Sequence, residues 1–295
     1  MERYINLFTD YGFKKIFGEQ PNKNLLLDFL NELLREEQGE IRDLTYLKTE
    51  QLGDTDLDRR AIFDLYCENE RGEKFIVELQ KSKQNFFKDR ALYYSTFPIR
   101  EQAKRADWNF ELKAVYTVAI LDFVFDEDKG QPEKYRYDVK LSDIETKRVF
   151  YDKLTFIYLE MPKFNKGLDE LKTRFDKWLY VIRNLNRLER MPDALREKVF
   201  EQLFEAAEIA RFTPEQVLSY EDSLKYYRDL KNSLDTAFDE GKEEGREIGK
   251  AEGRQQRALE IAREMLTEGD PVERVARLTG LPPAMVEELQ QSLQQ

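Results

Sequence analysis

Hydrophobic residues recur with a helical period at the start of the chain and with a strand pattern after it. The opening segment 9–18 predicts a short helix that Gly18 ends, and Asn22 is positioned to cap a second helix over 23–36. Three segments rich in branched and aromatic residues then predict strands, near 42–49, 60–67 and 74–80. Because a turn-like stretch separates the last two, we expect them to form an antiparallel hairpin.

The pattern then returns to a helix and to further strands. Residues 84–106 predict a helix that Pro98 should kink or interrupt, and strands are expected at 113–123 and 154–160. This order of helix, three strands, helix and strand, with one further strand, predicts an α/β domain that ends near Pro162.

The rest of the chain has a helical period throughout. We expect three regions: an α/β domain over 1–163, a helical region over 164–238, and a tail over 239–295. The tail begins with Gly241, Gly245, Gly249 and Gly253 at four-residue spacing, a pattern that fits close helix packing or a pliable linker. It continues with helical segments that predict a small helix-turn-helix unit.

Composition excludes most enzyme classes that depend on histidine or cysteine. The 295 residues include no histidine and one cysteine, so nucleophile pairs with histidine, histidine-ligated metals and disulfides are closed to this chain. Chemistry would have to use carboxylates, for which Mg²⁺ or Mn²⁺ are the matching cations. The sequence contains no phosphate-binding or dinucleotide loop, which predicts no nucleotide cofactor.

Charge is unevenly distributed along the chain. The formal charge is −11, yet residues 74–105 carry eight basic against three acidic side chains, which indicates a phosphate-facing surface. From residue 239 onward eight basic residues face thirteen acidic ones, so a protein contact by the tail is favoured over a DNA contact. We expect a cytoplasmic protein without a membrane span, because apolar runs are short and no signal-peptide pattern opens the chain.

Asp64 and Glu78 are the most informative pair of side chains. If the predicted hairpin is centred on Arg71, positions summing to 142 pair across it, and the two carboxylates become direct neighbours. Like charges at such positions destabilise a sheet unless a cation lies between them. The alternative is that both side chains lie on a solvated face and carry no function.

These residues and their order resemble a known family. An Asp on one strand and Glu-x-Lys on the next, within this order of elements, is the PD-(D/E)xK nuclease pattern, here reading Asp64 and Glu78-Leu79-Gln80. Gln80 replaces the usual lysine. That departure, the segment 9–17, the segment 90–94, the glycine repeat and the Thr-Gly-Leu tail resemble the recombination-promoting nuclease (Rpn) and transposase family. The resemblance implies a restriction-endonuclease-like core, α-β-β-β-α-β, followed by an all-α C-terminal region.

The resemblance also implies roles for individual residues. Asp64 and Glu78 would bind Mg²⁺ or Mn²⁺ together with the Leu79 carbonyl, and Gln80 would orient the attacking water. Because glutamine carries no charge, the metal or a nearby cation would have to stabilise the phosphorane. The candidates for that cation are Lys14, Lys81 and Arg90. Asp10 and Lys14 would close over the site, with a helix N-cap as the alternative role of Asp10. The predicted DNA contacts are Lys81, Lys83, Lys88, Arg90 and Tyr94. The alternative for the three lysines is a solvated helix start, and for Tyr94 it is core packing.

Two functions follow from this pattern. The first is a metal-dependent DNA endonuclease that hydrolyses phosphodiester bonds in recombination or transposition. The second is a catalytically weak or inactive nuclease-fold protein that acts as an oligomeric binding or assembly module. In either case we expect a homo-oligomer formed through the C-terminal helices.

Overall fold

The computed structural model describes residues 2–35, 39–51, 61–103 and 109–293. The chain forms two compact units, Met1–Arg228 and Asp229–Gln295. The domain boundary that the sequence predicts at residue 163 lies inside the first unit. The helices that follow this residue share a hydrophobic core with the sheet. Lys104 and Arg105 of the predicted basic stretch lie outside the described residues.

A six-stranded sheet forms the centre of the first unit. The strands of the chain are β1 (Leu44–Tyr46), β2 (Glu50–Gln51), β3 (Ala61–Ile62), β4 (Leu65–Asn69), β5 (Lys74–Gln80), β6 (Val115–Leu121), β7 (Arg136–Ser142) and β8 (Val149–Glu160). The order in the sheet is β1-β4-β5-β6-β8-β7, while β2 and β3 form a separate pair. Strands β5, β6 and β8 run parallel, and the outer neighbours are antiparallel. Every residue of β5 and β6 is buried, as expected for strands covered on both faces.

Helices cover both faces of this sheet. Those of the first unit are α1 (Asp10–Phe17), α2 (Lys23–Leu34), α3 (Phe87–Gln102), α4 (Arg174–Asn184), α5 (Lys198–Ala207) and the start of α6 (Pro214–Thr267). The apolar sides of α1, α2, α4 and α5 share one core with alternate residues of β5, among them Phe75, Val77 and Leu79. Helix α3 packs on the opposite face. Since side chains alternate along a strand, Glu78 and Gln80 belong to the face that α3 covers.

Several predicted elements are confirmed. Helix α1 ends at Gly18, α2 lies within the predicted range, and β4 and β5 form the antiparallel hairpin. The pairs Leu65 with Val77 and Glu68 with Lys74 confirm that positions summing to 142 face each other. Strand β5 matches its predicted bounds, since both describe residues 74–80.

Other predictions were wrong in ways that have physical causes. The expected strand over 60–67 is broken, because β3 ends at Ile62 and Asp64 lies in a bend before β4. Strand β7 was missed because it is an edge strand with alternating polar residues and partner strands on one side alone. Pro98 lies inside α3, so the predicted interruption of the helix at this residue was wrong. The Asn22 side chain makes no capping bond and instead donates to the Lys15 carbonyl at 2.8 Å.

The second unit consists of helices. The last part of α6 packs with α7 (Val272–Thr279) and α8 (Pro283–Leu293) around a small apolar cluster, which confirms the three predicted helical segments. Gly269 and Gly280 between them have φ of +91° and +74°, values that L side chains rarely adopt. The four repeated glycines lie within α6, so the repeat is helical. Among the described residues, no helix combines the length and apolarity needed to cross a membrane.

Candidate active site

The β4–β5 hairpin brings Asp64 and Glu78 into contact, as the register predicts. The Asp64 backbone N–H donates to Glu78 Oε1 at 3.3 Å, and the Leu79 N–H donates to Asp64 Oδ2 at 2.7 Å. Asp64 precedes the first residue of β4, so its side chain lies where the ladder between the two strands ends. Each carboxylate is therefore held by a backbone N–H of the neighbouring segment at the open end of the hairpin.

Partial or full burial raises the pKa of both carboxylates. Glu78 is 7% exposed, and burial, together with the charge of Asp64, raises its pKa to about 8 against the partly opposing charges of Arg90 and Lys14. Burial also raises the pKa of Asp64, while the Leu79 N–H and the cations Lys14 and Lys81 favour its charged form. A cation placed between these carboxylates would favour ionisation of both.

The donors at this point fit a hard divalent cation. Within a strand the N–H and C=O of one residue point to the same side, so the Leu79 carbonyl faces the side on which its N–H meets Asp64. In the part of the chain that the structure describes, no group of three or more His, Cys, Asp or Glu side chains could hold a metal. Two carboxylates and a carbonyl are oxygen donors of the kind that suits Mg²⁺, because this ion retains several waters.

Gln80 lies two residues beyond Glu78 and contacts a cation from α3. Gln80 is 8% exposed, and its Oε1 accepts a hydrogen bond from Arg90 Nη2. A second nitrogen of the same guanidinium, Nη1, donates to Gln84 Oε1. The guanidinium carbon lies 5.1 Å from the ring centre of Phe87 and 5.7 Å from that of Tyr94. The rings and the two amides thus fix Arg90 at the end of the motif strand.

A cleft of about 550 Å³ opens beside Asp64 and is lined in part by α1. Asp10 and Lys14 lie on this wall and form an ion pair at 3.0 Å, with both side chains about half exposed. Thr9, and not Asp10, is the N-cap of α1, since its hydroxyl accepts from the Gly12 N–H at 3.0 Å. The alternative of Asp10 as a helix cap was therefore wrong.

The predicted DNA contacts fall into two groups. Lys81 lies near the carboxylates, with its ammonium 5.5 Å from the ring centre of Tyr226, and burial lowers its pKa. Lys83 and Lys88 instead form ion pairs with Asp126 and Glu127. The ring of Tyr94 packs against that of Phe63, with 5.4 Å between the ring centres, and it also faces Arg90. Tyr94 therefore packs against a neighbouring ring and also lies beside the site.

Nothing in the sequence pattern marks the contribution of α6 to this cleft. Ser219 and Ser223 line it, and the Ser223 hydroxyl accepts from the Tyr11 N–H at 3.1 Å. Nearby, the Tyr220 hydroxyl accepts from the Asn6 N–H at 2.9 Å. These residues are more than 200 positions apart along the chain, and their polar side chains follow the ordinary pattern of a half-exposed helix.

Comparison with known proteins gives a consistent result. A family model described as PD-(D/E)XK nuclease family transposase matches residues 7–237. The match begins just before α1 and includes Asp64, Glu78 and Gln80. Comparison with curated proteins and with solved structures found no match.

Proposed function

Because the chain belongs to the PD-(D/E)XK nuclease family transposases, which implies a nuclease-like or transposase-like function, we propose that it is a divalent-metal-dependent DNA endonuclease. The reaction would be hydrolysis of a DNA phosphodiester, in the service of recombination or transposition. The observation that carries this proposal is the contact of half-buried Asp64 with buried Glu78 beside an open cleft.

Asp64, Glu78 and the Leu79 carbonyl would hold Mg²⁺ or Mn²⁺. When bound, the ion would supply positive charge to the scissile phosphate and make a coordinated water more acidic. The two carboxylates would contribute negative charge and fixed geometry, since each accepts a backbone N–H bond next to the other. Gln80 would orient the attacking water in line with the leaving oxygen.

The remaining predicted residues would contact the DNA around this centre. Asp10 and Lys14 line the cleft beside Asp64, where the ammonium could reach a phosphate if it exchanged its partner. Lys83 and Lys88 would likewise exchange Asp126 and Glu127 for phosphate oxygens. Lys81, Arg90 and Tyr94 lie closer to the carboxylates and would contact the strand at the scissile bond.

Nicking of supercoiled plasmid tests this proposal. Purified wild-type protein is compared with the Asp64→Ala/Glu78→Ala double variant in Mg²⁺, Mn²⁺ or EDTA. The matched control is Asp193→Ala/Glu205→Ala, which removes two carboxylates from the exposed surface. We expect metal-dependent nicking that the site variant loses by at least ~10³-fold and the control retains. Absence of nicking with every metal, or equal nicking by the site variant, overturns the endonuclease.

Metal binding provides a second measurement that does not depend on activity. We expect calorimetry to show Mn²⁺ binding by the wild-type protein and its loss in Asp64→Ala. Retention of Mn²⁺ binding by that variant would overturn the assignment of the carboxylates as ligands.

The second candidate function is an oligomeric assembly module with weak or no catalysis. The uncharged Gln80 favours it, and so does the glycine repeat, around which the structure leaves open space at all four positions. A homo-oligomer through the C-terminal helices would place a second helix there, because small residues allow close approach. Light scattering of the full chain and of a chain ending at residue 238 tests this. An oligomer that persists after truncation contradicts the role of the tail.

A further inference from the structure

Replacement of the usual lysine by Gln80 leaves the question of which group supplies the missing positive charge. The chain offers Lys14, Lys81 and Arg90 in the neighbourhood of the two carboxylates. A neutral amide in the lysine position cannot stabilise the additional negative charge that a phosphate gains as water attacks it. The structure distinguishes the three cations by the partners they already have.

The two lysines are engaged on the Asp64 side of the site. Both oxygens of Asp10 contact the Lys14 ammonium, at 3.0 and 3.1 Å, so a neighbouring carboxylate offsets its charge. Lys81 lies over the Tyr226 ring, with its ammonium 5.5 Å from the ring centre. Neither arrangement connects a lysine to Gln80.

Arg90 is connected to Gln80 directly. Its guanidinium donates to the side-chain oxygens of Gln80 and Gln84, and both of these acceptors are neutral. Two amide acceptors leave the full positive charge in place and occupy two of the five N–H donors. Phe87 and Tyr94 support the guanidinium plane, and its charge acts on Glu78, two residues before Gln80.

We propose that Arg90 contacts the scissile phosphate and supplies the charge that the lysine of the PD-(D/E)xK pattern would provide, with Gln80 as its positioning residue. This inference rests on the proposed nuclease function. An amide oxygen has two lone pairs, so Gln80 can accept from Arg90 and from the attacking water together. The exchange of lysine for glutamine therefore moves the cation from β5 to α3 without removing it from the site.

Four variants of the full chain test the proposal: Arg90→Ala, Arg90→Lys, Gln80→Lys and Gln80→Lys/Arg90→Ala. Single-turnover cleavage in Mn²⁺ should fall about 10²- to 10³-fold in Arg90→Ala. Arg90→Lys should recover part of this, because lysine keeps the charge and loses the two-amide geometry. The double variant should cleave at least about tenfold faster than Arg90→Ala, since the cation returns to its usual position.

Arg136 provides the matched control. Its guanidinium also lies over an aromatic ring, 5.6 Å from the centre of Phe175, but it is on β7, three strands away from β5. Arg136→Ala should cleave within about twofold of wild type, as expected for a surface substitution away from the site. Cleavage by Arg90→Ala within threefold of wild type, or no gain in the double variant, would overturn the proposal and leave Arg90 a structural role.

The salt dependence of DNA binding separates this inference from the nuclease function itself. Affinity for a short duplex is measured in Ca²⁺ over a range of salt concentrations. Loss of one phosphate contact should reduce the slope of log K against log salt by about 0.9 in Arg90→Ala, and Gln80→Lys/Arg90→Ala should restore it. An unchanged slope overturns the phosphate contact. If the slopes of wild type and Arg90→Ala differ by this amount but the wild-type protein cuts no DNA, the nuclease function is overturned and the phosphate contact is not.

Discussion

The two ends of the β4–β5 hairpin carry cross-strand pairs of charged residues with opposite consequences. Near the turn, Glu68 faces Lys74, and the two side chains form an ion pair although Lys74 is 5% exposed. At the open end, Asp64 and Glu78 meet as two carboxylates. The Glu68–Lys74 pair lies within the ladder, whereas Asp64 lies in a bend just before it, and the two pairs also differ in the signs of their charges.

This difference separates a structural pair from a site. Opposite charges that face each other across a sheet satisfy one another and need no ligand. A buried carboxylate beside a half-buried one cannot do so, and the pKa of Glu78 is raised as a result. The hairpin thus has one end that is complete within the chain and one end that a divalent cation would complete.

The largest expected effect comes from placing an acidic and a basic residue at the open end, as the hairpin has near its turn. Glu78→Lys would place a lysine against Asp64, as Lys74 lies against Glu68 near the turn. We expect cleavage to fall at least ~10³-fold, because a metal ligand is lost and a positive charge takes the cation's place. Thermal unfolding should no longer respond to Mn²⁺, whereas wild type gains about 2.7 kcal/mol at a Mn²⁺ concentration of 100 Kd.

Glu78→Gln is the matched variant for that substitution. It also removes the ligand charge but adds no cation, so it should lose cleavage without gaining the stability of a new ion pair. In the absence of metal, we expect the free energy of unfolding of Glu78→Lys to exceed that of Glu78→Gln by about 1 kcal/mol. A Glu78→Lys protein that still binds Mn²⁺ would contradict the comparison between the two ends.

Stability of the metal-free protein should depend on pH through Glu78. Its pKa is raised from 4.5 to about 8 in the folded state, so the folded protein binds more protons than the unfolded chain between these values. The stabilisation is complete below pH 4.5 and is lost as the pH rises through about 8. We expect wild type to lose about 2–4 kcal/mol relative to Glu78→Gln over this window.

Urea unfolding in EDTA at several pH values measures this difference. Saturating Mn²⁺ should abolish it, because a bound cation keeps Glu78 ionised at every pH in the window. Parallel pH curves for wild type and Glu78→Gln without metal would show that Glu78 titrates normally.

Substitutions near the turn of the hairpin should change the stability of the protein and leave its activity unchanged. Lys74→Met leaves Glu68 without its partner and should destabilise the protein by about 2–3 kcal/mol, since Glu68 remains partly exposed. Lys113→Met, on an exposed lysine, should change stability by less than about 0.5 kcal/mol. Mn²⁺ affinity should be the same in both variants, as calorimetry can establish. Loss of Mn²⁺ binding in folded Lys74→Met would mean that the two ends are not independent.

The same hairpin shows how far the sequence can predict a site. Alternation along the strands and the position of the turn were enough to place Asp64 opposite Glu78, because the register of a short hairpin is a local property. Helices α1 and α2 could be predicted equally well, since their apolar faces and the glycine after α1 are local signals.

Contacts between segments that are distant in the sequence or irregular in structure could not be predicted in this way. The link between Arg90 and Gln80 depends on how the loop after β5 returns α3 to the strand. The pairing of Lys83 and Lys88 with acidic residues depends on a turn some forty positions later. The serines of α6 reach the cleft through the tertiary fold, and nothing in their own segment marks them.

The smallest expected effect concerns the turn that sets the register. Gly72 has φ of +81°, and a Cβ there would meet Lys113 and Glu68 at ordinary contact distances, so the cost of Gly72→Ala is backbone strain alone. We expect a loss of about 1 kcal/mol in unfolding free energy, against less than about 0.5 for Gly130→Ala, whose surroundings are open. Cleavage and Mn²⁺ binding should be unchanged, because the Glu68–Lys74 pair holds the register between the turn and the site. If Gly72→Ala reduces cleavage more than tenfold while the protein stays folded, the open end takes its geometry from the turn.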